Sequence, residues 1–396
     1  MSGGAGVGTD AVGGRAGPGG IAAVRAPALA GTEDHPQARI VLSTALASAP
    51  SHAYLFHGPA GTGKRTVARA FAAELLSEGA DEPDGVRLRV AHGTHPDLTW
   101  VRPSGAHVMR VEDVAEPVVS GATRTPFEAR RRVFVLEQAD TLNDEAANRL
   151  LKTLEEPASF VHVVLLTDAP GRMLETVVSR CQPVRFDPLP ATRIAERLEA
   201  DGVPPERARA CARLSLGNAA RARELASAEG EELREQVERF VAAALVGGEG
   251  GPDPWRPLLE RAQARRLAVE EEVAVEATRR LELEPKGRER RALEREFEEA
   301  AKRDGRRALR ESLELSLVLA ALTFRDLVCL AEGAPEAVLA SDRTPALAER
   351  ARSRDPRRLR AAAERCEDVR QSLELNVMED LALSALGLRL AALTGS

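Results

Sequence analysis

The chain has 396 residues, enough for about two or three domains, and its abundance of Ala, Leu, Arg and Glu favours helices. Its formal net charge of −6 at pH 7 excludes a chain-wide nucleic-acid-binding surface, so any DNA contact must be local or shared with other subunits. The scattered cysteines, the lack of a membrane-length apolar run and the lack of a signal peptide together predict a cytoplasmic protein without disulfides or membrane contact.

The first folded elements follow a biased N-terminal segment. Residues 1–28 are rich in Gly and Ala and low in complexity, so we expect a disordered tail that cannot bury enough apolar surface to fold. Folded sequence begins near Leu29, with a helix over 35–47 and a short strand over 53–56.

A glycine-rich segment, Gly58-Pro-Ala-Gly-Thr-Gly-Lys64, connects that strand to a helix over 65–77. A phosphate-binding loop needs this context, because the backbone N–H groups of the loop and of the helix N-terminus face the anion. The lysine would reach the terminal phosphates. The candidate nucleotide-binding residues are Gly58, Gly61, Thr62, Gly63, Lys64, Arg65 and Thr66.

The position after the lysine departs from the full phosphate-loop signature, which places a Ser or Thr there as a Mg²⁺ ligand. This chain carries Arg65 instead, and Thr66 follows. Helical positions turn by about 100° per residue, so Thr66 cannot supply the missing hydroxyl, and a guanidinium would repel the metal. The sequence therefore leaves ATP or ADP binding open and disfavours Mg²⁺.

The stretch 78–108 has a loop-like composition, interrupted by a strand over 98–101. We expect its histidines, His92, His95 and His107, to be solvated, because their spacing fits no metal site. A helix over 111–119 should follow.

An apolar strand over 133–136 ends in Glu137-Gln138, at the place where P-loop ATPases keep their second nucleotide motif, the Walker B. In an active ATPase of this type the strand ends in Asp-Glu, whose Asp holds Mg²⁺ and whose Glu polarises the attacking water. The amide of Gln138 has no basic site near neutral pH and cannot accept a proton from water. The sequence thus predicts an ATPase framework without its base.

The strand over 161–167 is nearly continuous in apolar residues, as in the middle of a parallel sheet, and places Thr167 and Asp168 at its carboxyl end, where such sheets bind ligands. From 189 onward the pattern is helical, with core helices over 312–330 and 376–393. We predict α/β plus all-α structure, with ordinary amphipathic packing of the charged section before 312 rather than a coiled coil.

Two motifs carry a family resemblance: Leu150-Leu-Lys-Thr-Leu-Glu-Glu-Pro157 and Ser179-Arg-Cys181 resemble the hallmark pair of bacterial clamp-loader AAA+ proteins. Within that family, Glu137-Gln138 and Glu145-Ala-Ala-Asn148 resemble the delta prime group of subunits. The resemblance implies a RecA-like AAA+ P-loop domain, a small helical lid domain and a C-terminal helical collar domain for oligomerisation. The implied ranges are 29–188, 189–228 and 229–396.

The resemblance also implies roles for single residues. Arg180 matches the arginine finger that a subunit inserts into its neighbour's ATP site, although a helix-end arginine paired with local carboxylates stays an alternative. Thr167 or Asp168 falls at the sensor 1 position. The sensor 2 arginine would align with Ala220, so its phosphate contact is missing or displaced to Arg221. Many relatives carry a four-cysteine zinc module, but residues 67–132 contain no cysteine, so no zinc is expected.

The implied function is that of a largely non-hydrolysing subunit, with weak or absent ATPase activity of its own. It would complete a ring with gamma/tau and delta subunits, so that the sliding clamp is loaded on primed DNA. One alternative is an autonomous ATPase of the gamma/tau type that uses Glu137 as metal ligand and another residue as base. A P-loop adaptor outside replication is a second alternative.

Overall fold

The computed structural model describes residues 29, 31–103, 108–247, 253–282, 287–373 and 377–395. The predicted tail over 1–28, His107 and the expected helix start at Asn376 lie outside them. Within the described part the chain forms a parallel β-sheet with flanking helices, followed by helices alone. This arrangement confirms the predicted class, α/β plus all-α.

The strands of the sheet are β1 (Ala53–His57), β2 (Leu98–Val101), β3 (Arg132–Leu136), β4 (Val161–Thr167) and β5 (Gln182–Arg185). They are all parallel and lie in the order β2-β3-β4-β1-β5. Because β4 lies between β1 and β3, the carboxyl ends of these strands meet at one edge of the sheet. That edge brings together the glycine loop after β1, Glu137 after β3 and Thr167 at the end of β4.

The sheet is covered on both faces. All seven residues of β4 are buried, which is typical of a central strand between two helical layers. On one face Tyr54 and Phe56 contact Phe71 of the helix that follows the glycine loop. On the other face Leu165 shares a core with Leu150. These two cores fix the position of the sheet edge on which the candidate site lies.

One helix of the α/β part was not expected from the sequence. The segment predicted as loop contains a helix that begins at Pro83 and ends at His92, followed by Gly93, which has a left-handed backbone. Proline needs no N–H partner in a first turn, so it starts this helix rather than breaking it. The helices here are α1 (Pro36–Ala47), α2 (Lys64–Ser77), α3 (Pro83–His92), α4 (Val111–Val114, continued by a π-helix over Ala115–Ser120), α5 (Asp144–Glu155) and α6 (Glu175–Val178).

His95, expected to be solvated, is buried instead, and its Nε2 lies 3.1 Å from the Glu128 carboxylate. Its neighbour Asp97 is also buried and accepts backbone N–H bonds from Phe127, Glu128 and Ala129. The expectation was wrong because His95 and Asp97 fasten the loop before β3 rather than lining a solvated turn.

The helical part shares one continuous core. Buried residues from Leu189 to Leu390 form a single cluster that includes both the predicted lid and the predicted collar. The longest helix spans 44 residues, or about 66 Å, and lies beside the helix that precedes it. No described helix combines the length and apolarity that crossing a bilayer demands. The helices are α7 (Ala191–Ala200), α8 (Pro205–Leu214), α9 (Ala219–Ala226), α10 (Ala228–Val246), α11 (Arg256–Glu282), α12 (Arg288–Ala331), α13 (Thr344–Ala351), α14 (Pro356–Ser372) and α15 (Glu379–Thr394).

Candidate functional site

The glycine loop lies between the end of β1 and the start of α2, as the sequence predicts. Gly58, Gly61 and Gly63 have positive φ angles of 142°, 73° and 88°, which side-chain-bearing residues rarely adopt. A Cβ atom on Gly61 would lie 1.9 Å from the side chain of Asn218, the N-cap residue of α9. The lid therefore contacts the loop directly, and glycine is required there for space as well as for conformation.

Lys64 is buried and has its ammonium group fully engaged. Its Nζ donates hydrogen bonds to the Gly58 and Pro59 carbonyl oxygens, at 2.5 and 2.7 Å, and lies 2.6 Å from Asp168 Oδ1. Thr167, beside Asp168, donates its hydroxyl hydrogen to Asp140. Of the two candidates for the sensor 1 position, Asp168 thus contacts the phosphate-loop lysine and Thr167 fixes the turn after β3.

The place of a metal ion between the loop and the Walker B strand is taken by an ion pair. Arg65 Nε lies 2.9 Å from Glu137 Oε1. The same oxygen accepts hydrogen bonds from Trp100 Nε1, at 2.5 Å, and from Arg102 Nε, at 3.4 Å. Partial burial lowers the pKa of Arg65, and the Glu137 carboxylate opposes that shift. A guanidinium remains charged under these conditions.

These residues do not fit Mg²⁺, which prefers a near-octahedral set of oxygen ligands and would have to displace two guanidinium groups from Glu137. Within the described ranges, no three His, Cys, Asp or Glu side chains cluster as metal ligands would.

Gln138 keeps an unusual backbone at the end of β3. Its φ and ψ are 53° and 47°, in the left-handed region, and its carbonyl oxygen accepts hydrogen bonds from the N–H and the hydroxyl of Thr141. Non-glycine residues in this region are uncommon and cluster at functional sites. The turn holds the side chain at the cavity wall, where it presents an amide instead of a base.

A cavity of about 370 Å³ lies over the loop and is lined by residues of the α/β part, of α7 and α9, and of α12. Sequence reasoning missed three of its cations: Arg197 of α7, Arg223 of α9 and Arg307 of α12. Of the residues considered for the sensor 2 contact, Ala220 lines the cavity and Arg221 does not, whereas Arg223 does. Residues three and four apart share a helix face, so Ala219, Ala220 and Arg223 point the same way.

Arg180 lies outside this cavity. It follows α6 and precedes β5, whose first residue, Gln182, is level with Tyr54, the second residue of β1. The glycine loop starts after His57, so Arg180 lies toward the opposite edge of the sheet, at least about 10 Å from its own phosphate loop along the strand direction. Arg180 is therefore not placed to act on its own cavity.

The Arg180 side chain is on the surface, with 36% of it exposed. Its Nη1 donates a hydrogen bond to the Thr176 carbonyl oxygen at 2.8 Å, and its Nη2 lies 2.6 Å from Glu155 Oε1. The local carboxylate pairing that the sequence left open is thus present. Because Glu155 is itself 47% exposed, this pair is accessible to a competing anion.

Comparison with known proteins points to one family. Residues 35–190 match the profile of the family described as DNA polymerase III, delta subunit. The chain is 37% identical over 179 residues to DNA polymerase III subunit delta' of Bacillus subtilis, which is 44% of this chain and 54% of that protein. It is also 37% identical over 200 residues to subunit delta' of Pseudomonas aeruginosa, covering 48% of this chain and 60% of that protein.

A more distant relative is DNA polymerase III subunit tau of Bacillus subtilis, 32% identical over 154 residues, or 37% of this chain and 27% of that protein. Among solved structures, a gamma subunit-related protein of DNA polymerase III from Thermotoga maritima aligns over 90% of this chain and 99% of that chain. That protein is 15% identical to this chain, with a TM-score of 0.45. The chain spans little more than half the length of the delta' relatives that it matches.

Proposed function

We propose that this chain, whose residues 35–190 match the family described as DNA polymerase III, delta subunit, is a clamp-loader subunit of the delta prime type that lends Arg180 to a neighbour and does not hydrolyse ATP itself. The observation that carries this proposal is a contrast between two edges of the sheet. At one edge an ion pair and an amide stand where an ATPase needs a metal and a base. At the other, an arginine is exposed on the surface.

The cavity of this chain lacks two contributions to phosphoryl transfer. Hydrolysis needs a group that orients and deprotonates water, and the Gln138 amide cannot take the proton. It also needs a cation that bridges the β- and γ-phosphates, normally a metal held by the P-loop hydroxyl and the Walker B acid. Here Arg65 and Glu137 neutralise each other at that position. The same pair argues against an autonomous ATPase that would use Glu137 as a metal ligand.

Arg180 retains what a finger acting in trans requires. A guanidinium that reaches a transferring phosphoryl group stabilises the charge that develops there, an effect worth about 10³–10⁵ in rate. To reach a neighbour, Arg180 must exchange Glu155 for phosphate. Charge-assisted bidentate contacts make phosphate a strong competitor for a surface-exposed arginine.

The exposed apolar residues of the predicted collar favour assembly with gamma/tau and delta subunits. The sequence predicts a core helix over 376–393, but Leu381 and Leu388 of that helix are 63% and 69% exposed. Met378, at the start of α15, is 71% exposed, and Leu267 of α11 is also exposed. Apolar side chains grouped on a surface mark interaction sites, and the expectation was wrong because the helix has apolar residues on both faces.

In this proposal the assembled ring, rather than this chain alone, places the sliding clamp on primed DNA, in the bacterial cytoplasm. The test is a loader reconstituted from gamma/tau, delta and this chain, with ATP hydrolysis measured in the presence of clamp and primed DNA. We expect the chain alone to show no turnover, and Arg180→Ala to lower turnover of the complex at least about tenfold.

The matched control is Arg124→Ala, which removes an exposed arginine that also has one carboxylate partner, Glu116. It should leave the turnover unchanged. Brisk hydrolysis by the isolated chain, or a complex indifferent to Arg180→Ala, would contradict the proposal.

A further inference from the structure

The cavity over the glycine loop carries more positive than negative side chains. Five cations and three carboxylates line it. Each carboxylate already contacts one of the cations: Asp34 pairs with Arg197, Glu137 with Arg65 and Asp168 with Lys64. The remaining two cations are Arg223 and Arg307. The excess charge suits an anionic ligand.

Those two arginines come from different parts of the fold. Arg223 is exposed on lid helix α9 and makes no ion pair with any residue in the described part of the chain. Arg307 lies on α12 and pairs with Glu311 of its own helix, with Nε 2.8 Å from Oε1. Together with Arg65 of α2, they direct cationic groups into one cavity from the α/β part, the lid and the long collar helix.

We propose that this cavity binds a nucleoside di- or triphosphate without Mg²⁺, with the Arg65 guanidinium, held by Glu137, in the place of the metal. Guanidinium groups bind phosphate oxygens bidentately, and the loop N–H groups at the start of α2 complete an anion site. The proposal concerns this chain's own cavity and does not depend on the role of Arg180.

The lining also selects for a nucleoside rather than for inorganic phosphate. Leu166, Leu189 and Ala219 contribute apolar surface to the same cavity. Ligand pockets generally combine such surface with a few placed polar groups. His35, which also lines the cavity, has its pKa lowered by burial and is neutral near pH 7, so it adds no charge at the apolar wall.

In this arrangement we expect Mg²⁺ to weaken nucleotide binding, whereas in an ordinary P-loop protein it supports nucleotide binding. A metal ion bound to the polyphosphate would occupy the oxygens that Arg65 needs and would meet like charge at the guanidinium. We therefore expect the metal-free nucleotide to bind more tightly than its Mg²⁺ complex, by about tenfold, the equivalent of one charge-assisted contact.

The experiment is titration of the purified full chain with a fluorescent ADP analogue and with ATP, in buffer containing EDTA or excess Mg²⁺. Arg65→Thr restores the usual hydroxyl. We expect it to weaken metal-free binding about tenfold and to remove or reverse the penalty that Mg²⁺ imposes. Arg223→Ala and Arg307→Ala should each weaken metal-free binding severalfold. Arg306→Ala, on the same helix as Arg307 but outside this cavity, is the matched control and should change nothing.

Three results would overturn the proposal. The first is no binding in EDTA by a chain that circular dichroism shows to be folded, and the second is tighter binding with Mg²⁺ in the wild-type chain. The third is equal affinity for pyrophosphate and ADP, which would remove the nucleoside from the ligand. Arg180→Ala should bind nucleotide like the wild-type chain, so this test and the test of the clamp-loader role fail independently.

Discussion

Arg65 and Arg180 each form an ion pair with a glutamate, yet the two glutamates differ in burial and in the number of further hydrogen bonds that they accept. Glu137, the partner of Arg65, has a side chain only 5% exposed and accepts two further hydrogen bonds, from Trp100 and Arg102. Glu155, the partner of Arg180, is 47% exposed. The Arg65–Glu137 pair is part of the cavity wall, whereas the Arg180–Glu155 pair is a surface contact that another anion can replace.

This difference follows from the cost of desolvation. Exposed ion pairs contribute about 0–1 kcal/mol, because water and salt screen them. Removing one member of a buried pair costs about 3–5 kcal/mol, because it leaves a charge without compensation. The Arg65–Glu137 pair should therefore cost more to break than the Arg180–Glu155 pair.

The largest expected effect on turnover comes from a conservative change at Arg180, the proposed arginine finger. In the reconstituted loader we expect Arg180→Lys to lose nearly as much turnover as Arg180→Ala, about 1000-fold at the neighbouring site, because an ammonium cannot reproduce bidentate phosphate contact. Single-turnover ATP hydrolysis measures the effect. Full activity of the lysine variant would mean that only charge, and not guanidinium geometry, matters at this edge.

The two glutamates should respond differently to removal. Glu137→Ala leaves two guanidinium groups and the Trp100 N–H without their acceptor, and we expect a loss of about 2 kcal/mol in the free energy of unfolding, below the fully buried value because Arg65 and Arg102 reach solvent. Glu155→Ala should cost less than about 0.5 kcal/mol. Urea unfolding of both variants measures the contrast, and equal losses would remove the distinction between the pairs.

Disturbing the contact between the lid and the glycine loop should have an intermediate effect on the free energy of unfolding. In Gly61→Ala the methyl group meets Asn218 and the residue must keep a φ of 73°, so we expect about 1 kcal/mol of destabilisation and faster amide hydrogen exchange in α9. Gly171→Ala is the control, because its added Cβ would meet nothing within 4 Å. Unchanged exchange in the lid of the Gly61 variant would show that Asn218 moves aside freely.

The sequence predicted those parts of the site that depend on neighbouring residues. The glycine loop and the end of β3 are local patterns with fixed consequences. The arginines contributed from afar were not predicted. Arg223 was not predicted, because the face that α9 turns to the cavity is set by packing. Arg307 lies more than 200 residues after the loop and reaches it only through the path of α12.

The same limit explains the errors in burial. The composition around His95 is that of a loop, yet the side chain is buried beside Glu128, because the contact joins segments that are distant in sequence. Leu381 and Leu388 are as apolar as their buried neighbours, and periodicity alone could not separate the two faces of α15. In each case tertiary contacts, and not local propensity, decided the outcome.

The smallest expected effect tests whether the cavity still favours an anion when one of its own acids is neutralised. Asp168 lies 2.6 Å from Lys64 but is 53% exposed, so a phosphate must displace it at a modest cost. We expect Asp168→Asn to tighten metal-free nucleotide binding about two- to fivefold, because the lysine no longer has to leave a carboxylate. Asp187→Asn removes a similarly exposed carboxylate that pairs with Arg185 outside the cavity, and its affinity should not change. Fluorescence titration in EDTA compares the two variants. Weaker binding by Asp168→Asn would mean that this carboxylate positions Lys64 for the phosphate instead of competing with it, as expected of a residue at the sensor 1 position.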